Sequence, residues 1–327
     1  MIKGFWKNLK KPFSVLAPMY DVTDVVFRQI ILQTARPDVF FTEFVNAEAF
    51  FSGGREDVLR KLRFTKDQRP IVAQIWGSRP DNFYKFAKEL VEMGFDGIDI
   101  NMGCPEKSVI KQGVCAALIN NHSLAKEIIE ATIEGAGKLP VSIKTRTGIK
   151  VHQTEEWFDF LLEFDLCAIT LHGRTVKQMS DVPANWNEIK KAVDLRNTNA
   201  KETLIIGNGD VPNAIYGSDL CQKNGADGFM IGRGIFSDLY AFATEKAKYG
   251  SLSKLEKLKL MKTHIGMFDK EYSGKRNYHI LKKYYKIYLN GFDGAAKLRE
   301  EFMSTLSVPQ ALKLLESCSN LRFRELK

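Results

Sequence analysis

The stretch IVAQIWGSRPDNFYKFAKELVEMGFDGIDIN, residues 71–101, reads as strand, helix, strand. Its ends, Ile71–Ile75 and Gly97–Asn101, are short, mainly apolar runs, the pattern of strands covered on both faces. Between them Arg79–Met93 carries Phe83, Phe86, Ala87, Leu90 and Val91 at helical spacing. A strand, a crossover helix and a second strand form the repeating unit of a parallel sheet.

The same alternation extends outward in both directions. Further strands are expected at Ser14–Met19, Val39–Thr42, Val141–Thr145, Ala168–His172, Leu204–Gly207 and Gly228–Gly232. Ser123–Glu134, with Ser123 as N-cap, and Glu155–Glu163 read as helices between them. Eight strand–helix units predict an α/β fold, a (β/α)8 TIM barrel. A doubly wound sheet is the competing arrangement, but no G-x-G-x-x-G follows the first strand.

Composition narrows the class. At 327 residues, 44% apolar and 27% charged, with 22 Phe, the chain can bury a large core. No run of about 18 apolar residues is present, so no membrane span is expected. The opening MIKGFWKNLKKPF lacks the apolar segment and cleavage site of a signal peptide, and a cytoplasmic location is expected. The five cysteines include no C-x-x-C pair and no cluster with histidine, so neither a metal site nor a disulfide framework is expected. Cys167, Cys221 and Cys318 read as small core residues. A monomer is expected.

The net charge of +9 is unevenly distributed. Residues 1–250 carry 32 Lys+Arg against 31 Asp+Glu, whereas residues 251–327 carry 16 against 8. This step places a domain boundary near Lys248–Ser253: a nearly neutral barrel, 1–248, followed by a small basic all-helical domain, 249–327. In Lys275–Leu289, KRNYHILKKYYKIYL, cations and aromatics interleave at helical spacing. Leu281, Tyr284 or Tyr285, and Tyr288 are expected inward. Lys275, Arg276, Lys282, Lys283 and Lys286 are expected at the surface, where they suit phosphate binding. Lys7, Lys10 and Lys11 are candidates to add to that surface.

Barrel chemistry sits at the C-terminal strand ends. Those ends carry Met19, Glu43, Gln74, Asn101, Lys144, His172, Asn208 and Gly232–Arg233. Burying an amide without a partner costs about 2–7 kcal/mol by transfer scales, so polar groups on successive strand ends point to a polar ligand over the barrel mouth. Glycines in GNGD (Gly207–Asp210) and IGRG (Ile231–Gly234), with Arg233, suit a phosphate at the last two strands. Amides and Lys144 suit the polar edge of a flavin, and FMN fits both requirements. In DINMGCP, Asp99–Pro105, a turn presents Cys104 above the same mouth. A thiol with an ordinary pKa of about 8.5 can donate a proton near neutral pH.

With these segments, together with APMYDVTD (Ala17–Asp24), VAQI (Val72–Ile75), IKTRTG (Ile143–Gly148) and LHGRT (Leu171–Thr175), the sequence resembles the tRNA-dihydrouridine synthases, most closely the bacterial type. The resemblance covers nearly the whole chain. It implies an FMN-binding barrel followed by a helical tRNA-binding domain, and FMN-dependent reduction of the uracil C5=C6 bond in tRNA, with NADPH as reductant. By this resemblance Pro18, Met19 and Tyr20 flank the flavin, and Gln74, Lys144 and His172 lie along its ring. Asn208, Gly209, Asp210, Gly232 and Arg233 hold its phosphate. Cys104 matches the proton donor; Asn101 and Arg174 match pocket positions; and Lys275, Arg276 and Lys282 fall in the stretch that contacts tRNA. Tyr20 departs from the small residue common at its position, Cys115–Ala116 depart from a Gly-Ser pair, and Phe50–Asp67 is unusually charged. The competing readings are the same chemistry on ribosomal RNA, a flavin dehydrogenase of free pyrimidines, and an RNA-binding protein without catalysis. The basic tail argues against the second, and the intact strand-end set against the third.

Charge reversal at Lys275, Arg276 or Lys282 is therefore expected to weaken RNA binding and its salt dependence while flavin content stays unchanged, measured by titration with RNA at several salt concentrations.

Overall fold

The computed structural model describes residues 2–199, 201–272 and 274–320. By contact density the chain forms two compact units, Met1–Val25 with Pro37–Gly232 and Val26–Arg36 with Arg233–Lys327. The charge step near residue 250 thus falls inside the second unit.

The first unit is built on β1 (Phe13–Leu16), β2 (Phe40–Phe41), β3 (Val45–Asn46), β4 (Ile71–Trp76), β5 (Gly97–Met102), β6 (Val141–Arg146), β7 (Ala168–His172), β8 (Leu204–Asn208) and β9 (Gly228–Ile231). All pairings are parallel, in the order β1-β9-β8-β7-β6-β5-β4-β2, with β3 also on β4. A parallel bridge between Val15 and Val39 brings the two ends together, making the TIM barrel expected from the eight repeats.

Three local expectations are corrected. The first strand stops at Leu16 rather than Met19, because Pro18 has no N–H and Met19 N–H donates to Thr23 Oγ1 at 2.9 Å. The second strand is two short pieces: four steps from Phe41 to Val45 face three from Val72 to Ile75 on β4, so one residue bulges out. Ser123 is not the N-cap of its helix. That helix runs His122–Ala136, and Asn121 Oδ1 accepts from Leu124 N at 3.2 Å.

Side chains on a strand alternate between faces, and the interior of the barrel follows that alternation. Phe13, Val15, Phe41, Val72, Ala168, Leu204, Ile206 and Met230 form one buried cluster with Trp6. Trp6, on the turn Gly4–Asn8, packs its ring 5.9 Å from that of Phe13, at the N-terminal end of the strands. Lys11 pairs at 2.7 Å with Asp227, just before β9. Both features belong to the barrel floor, which separates Lys11 from the chemistry at the opposite strand ends. Two residues further along β4, β5 and β8 from Val72, Gly97 and Ile206, the same face turns polar with Gln74, Asp99 and Asn208, and on β6 both Ser142 and Lys144 are polar.

In the second unit, helices Lys254–Tyr272, Ala295–Ser304 and Val308–Asn320 surround a core that includes Met261, Ile265, Phe268, Leu281 and Phe302. Residues 275–289 are not one helix. A 3₁₀ helix, Tyr278–Tyr284, passes into a single α turn, Tyr285–Tyr288. The three-residue period of the first buries Tyr278, Leu281 and Tyr284 on one stripe. The change of helix type then buries Tyr285 and Tyr288 as well, so both alternatives for the inward tyrosine are realised. His264 Nδ1 lies 2.8 Å from Tyr288 Oη.

Helices Pro80–Glu92 and His122–Ala136 meet at Gly135, where a Cβ would lie 2.2 Å from the Tyr84 carbonyl oxygen. Alanine is the better helix former, but that backbone oxygen cannot move aside cheaply. Gly135→Ala is expected to destabilise the fold by about 1–3 kcal/mol, the usual range for overpacking, read from denaturant unfolding.

Candidate active site

The polar positions form two rows across the barrel. In the lower row Gln74, Asp99 and Ser142 are direct cross-strand partners on β4, β5 and β6. In the upper row Asn101, Lys144 and Thr170 are partners on β5, β6 and β7. Ser142 Oγ donates to Asp99 Oδ1 at 2.6 Å and Gln74 Nε2 donates to Asp99 Oδ2 at 2.7 Å. Asn101 Nδ2 donates to Gln74 Oε1 at 3.0 Å. Asn101 Oδ1 in turn accepts from the backbone N–H groups of Gly103 and Cys104, at 3.1 and 3.0 Å.

This network places Cys104. The turn after β5 folds back onto Asn101, the penultimate residue of its own strand, leaving the thiol half-buried at the barrel mouth. Arg146 holds the turn from the other side, donating from Nε to Gly103 O at 2.9 Å and from Nη1 to Thr175 O at 3.0 Å. Burial raises the Cys104 pKa above its ordinary value, so the neutral, proton-carrying thiol is favoured.

Burial acts on two more groups. Asp99 is raised to about 6 by burial, against the hydrogen bonds from Ser142 and Gln74 and the charge of Lys144. Lys144 is lowered to about 8 by burial and by the Arg146 charge, with Asp99 pulling the other way. Lys144 has no hydrogen bond to the protein among the described residues, and it is partly buried on the inner face. A cation held there without an acceptor is the group best placed to meet an electron-rich ligand edge.

On the opposite wall, Arg174 is buried and donates to Val182 O at 2.6 Å, to the Asp210 carboxylate and to His172 Nε2 at 3.2 Å. A guanidinium N–H can only donate, so Nε2 is an acceptor and the His172 ring proton sits on Nδ1. Arg174, expected in the substrate pocket, thus acts within the protein by orienting His172. Asp210, expected at the phosphate, uses its carboxylate on Arg174 and on Ala184 N–H at 2.8 Å. Asn208 Nδ2 donates to Met230 O at 2.9 Å, tying β8 to β9. Gly209, at φ +118°, lies in the range that favours glycine, and a Cβ there would come within 2.6 Å of Ala184 Cβ and 2.9 Å of the His172 ring.

The loop after β1 completes this wall. Pro18 is buried, and a Cβ on Gly232 would meet only Ala17 Cβ at 3.6 Å and Met19 Sδ at 4.0 Å, which keeps a short backbone approach open. Tyr20 is more than half exposed, and Lys61 Nζ donates to its hydroxyl at 3.1 Å from a position over its ring. Glu43 Oε1 accepts from Asp21 N at 2.6 Å. Cys115 has φ +54°, a conformation that glycine adopts most easily. It is buried, and burial pushes its thiol well up, so it stays protonated; it and Cys104 are both free thiols. Cys318, expected in the core, is only partly buried.

The remaining predicted residues lie in the second unit. Arg233 opens it, exposed on the turn Arg233–Phe236. Lys275 is exposed, and Lys282 Nζ donates to Met303 O at 2.6 Å. Arg276 is buried with its guanidinium 4.9 Å from the Tyr272 ring centre. It is not the surface cation expected from sequence, and Arg276→Glu would disturb packing as well as charge. Reading the sequence by strand ends missed Asp99, Ser142 and Arg146. The signal for Asp99 was present: an acidic residue two positions before Asn101 in a strand covered on both faces must have buried partners.

Asp99 gives a pH dependence of known sign. Its folded pKa lies above the unfolded value of 3.8, so ionising it opposes folding, and that penalty disappears as pH falls from about 6 toward 3.8. Asp99→Asn is therefore expected to gain stability relative to the native chain as pH rises from 4 to 7, read from urea unfolding at each pH.

Comparison with known proteins gives the family of the chain. The family model described as dihydrouridine synthase (Dus) matches residues 15–323. A probable tRNA-dihydrouridine synthase of Staphylococcus aureus (strain COL) is 43% identical over 319 residues, covering 97% of this chain and 96% of that protein. A probable tRNA-dihydrouridine synthase 2 of Bacillus subtilis (strain 168) is 44% identical over 320 residues, covering 97% of each. In fold alone, the 6-hydroxypseudooxynicotine amine oxidase HisD of Pseudomonas geniculata N1 is similar with a TM-score of 0.52 at 10% identity, over 70% of this chain and 46% of that one. A match of this extent and identity makes the chain a member of the dihydrouridine synthase family.

Proposed function

We propose that this protein is a tRNA-dihydrouridine synthase, an oxidoreductase that reduces the C5=C6 bond of uridines in tRNA, using FMN with NADPH as reductant. The observation that carries the proposal is the Cys104 turn, which holds a protonated thiol at the mouth of a barrel whose inner wall offers an unpartnered cation and oriented amides.

The residues present fit FMN. Lys144 and the Gln74 amide suit the polar edge of the ring system, with Pro18, Met19 and Tyr20 beside it and His172 across from them. Asn208, Gly209, Asp210, Gly232 and Arg233 are the set for the phosphate, and the space that a Cβ on Gly232 would enter is open to a backbone approach. When bound, reduced FMN supplies the hydride that adds to C6 of the uracil.

The protein then has two tasks. The Lys144 ammonium offsets negative charge at the electron-rich edge of the site. Cys104 delivers a proton to C5: its Sγ–H bond breaks, the C5–H bond forms, and a thiolate is left that solvent reprotonates. Burial favours the neutral thiol before transfer, whereas a surface carboxyl would already be ionised at pH 7. Asn101 faces the same space and suits the uracil as well as the turn. Arg174, through His172, keeps the opposite wall in place.

A uridine in folded RNA must leave its stack to reach such a pocket, and the rest of the RNA then needs a holder. The basic region 249–327 serves that purpose, with Lys275 and Lys282 as phosphate contacts and recognition mainly by shape and backbone. The barrel region 1–248 carries the chemistry. A monomer acting in the cytoplasm suffices for this reaction. No helix among the described residues is long and apolar enough to cross a membrane.

Cys104→Ala is expected to keep its yellow FMN and its reduction by NADPH, while turnover on tRNA falls about 10²–10⁴-fold, the usual weight of a general acid. Mapping dihydrouridine in tRNA incubated with each protein reads the outcome. Full activity in the variant would remove the proton-donor role, and a colourless protein that FMN cannot reconstitute would remove the flavin.

A further inference from the structure

Beneath the reacting groups lies a chain of hydrogen bonds with fixed polarity. At its lower end is the Asp99 carboxylate, which when ionised can only accept. At its upper end are the backbone N–H groups of Gly103 and Cys104, which can only donate. Between them stand two amides, Gln74 and Asn101, each of which could in principle face either way. The two ends leave one consistent arrangement. Gln74 must turn its Nε2 to Asp99, at 2.7 Å, which leaves Oε1 facing Asn101. Asn101 must then turn Nδ2 to that oxygen, at 3.0 Å, which leaves Oδ1 for the Cys104 N–H, at 3.0 Å. Ser142 occupies the second carboxylate oxygen at 2.6 Å, so Asp99 is held from both neighbouring strands.

We propose that Asp99 is a positioning residue for the catalytic turn: through Gln74 and Asn101 its carboxylate sets the direction of both amides and thereby holds the Cys104 backbone in place. Asp99 touches neither substrate nor cofactor in this proposal. The proposal rests on Cys104 being the proton donor only for its catalytic meaning; the relay is a statement about the protein itself. It explains why an acid stands in the interior of the barrel, where an apolar residue would be the cheaper choice.

The test reads the turn directly, on the full-length protein, as the rate at which iodoacetamide alkylates Cys104, followed by mass spectrometry of the peptide that contains it. Asp99→Asn removes the acceptor-only end, so that the backbone N–H groups alone still set the direction of the amides. Alkylation of Cys104 is expected to rise about fivefold or more, the weight of one hydrogen bond to the turn. The double variant D99N/Q74E moves the carboxylate one place along the relay. Its new amide can donate to the new carboxylate, whose second oxygen again accepts from Asn101 Nδ2. Alkylation should then return to within about twofold of the parent, a rescue that a loss of packing would not show.

An unchanged rate in well-folded Asp99→Asn, or no recovery in a folded D99N/Q74E, would overturn the proposal. If Asp99→Asn does not fold, Gln74→Met, which breaks the relay between Asp99 and Asn101, reads the same effect. An alkylation rate equal to the parent's would then count against it. None of these measurements needs flavin or RNA. If Cys104→Ala keeps full activity, the proton-donor reading fails while the relay can still hold; if alkylation is insensitive to Asp99, the relay fails while the proton donor can still stand.

Discussion

Barrel closure, through the pairing of β1 with β9 and the bridge from Val15 to Val39, is the constraint on which the site depends. Once the parallel strands curve into a ring, every second side chain on each strand must point inward. Depth then decides chemistry. Near the strand N-termini the inner face is filled by Phe13, Val72, Leu204 and Trp6 and excludes water. Two residues further along, the same face carries Gln74 and Asp99, and one row above them Lys144. The apolar floor raises the energy of any bare charge above it, and so Asp99 is held up near 6 and Lys144 down near 8 while each pulls the other toward its charged form.

The polar layer is ordered because its hydrogen-bond capacity is used in a definite sequence. Ser142, Asp99, Gln74 and Asn101 come from three neighbouring strands and meet by register, and the last member reaches the backbone of Cys104. The other wall is ordered separately, by Arg174 acting on His172, Asp210 and the Val182 carbonyl. Two arginines, Arg146 and Arg174, thus bond within the protein, whereas Lys144 makes no hydrogen bond to it among the described residues.

Much of this was legible in the sequence. Apolar runs alternating with amphipathic helices specify strand and helix locally, so the number of barrel strands and the β4–β5 unit could be read from residue types alone. Strand ends also named Gln74, Asn101, Lys144, His172 and Asn208, because polar residues at the end of a buried run have few structural explanations. Element boundaries were less legible where a single donor decides them. Met19 N–H bonding to Thr23 ends β1, the bulge between Phe41 and Val45 divides the second strand, and Asn121 rather than Ser123 caps its helix.

The sequence by itself determined the alternation of strands and helices, the polar character of the strand ends, and the concentration of positive charge after residue 250, since each depends on residues near one another in the chain. Only the tertiary structure decided which of those groups bond within the protein. Arg174 and Arg276, for which the family resemblance implies binding roles, are buried and engaged by Asp210 and by the Tyr272 ring. Asp99, one residue within a motif, gains its meaning only from Gln74 and Ser142 across two strand interfaces. Hydrogen-bond direction belongs to pairs of groups brought together by register, and no spacing along a single strand contains it.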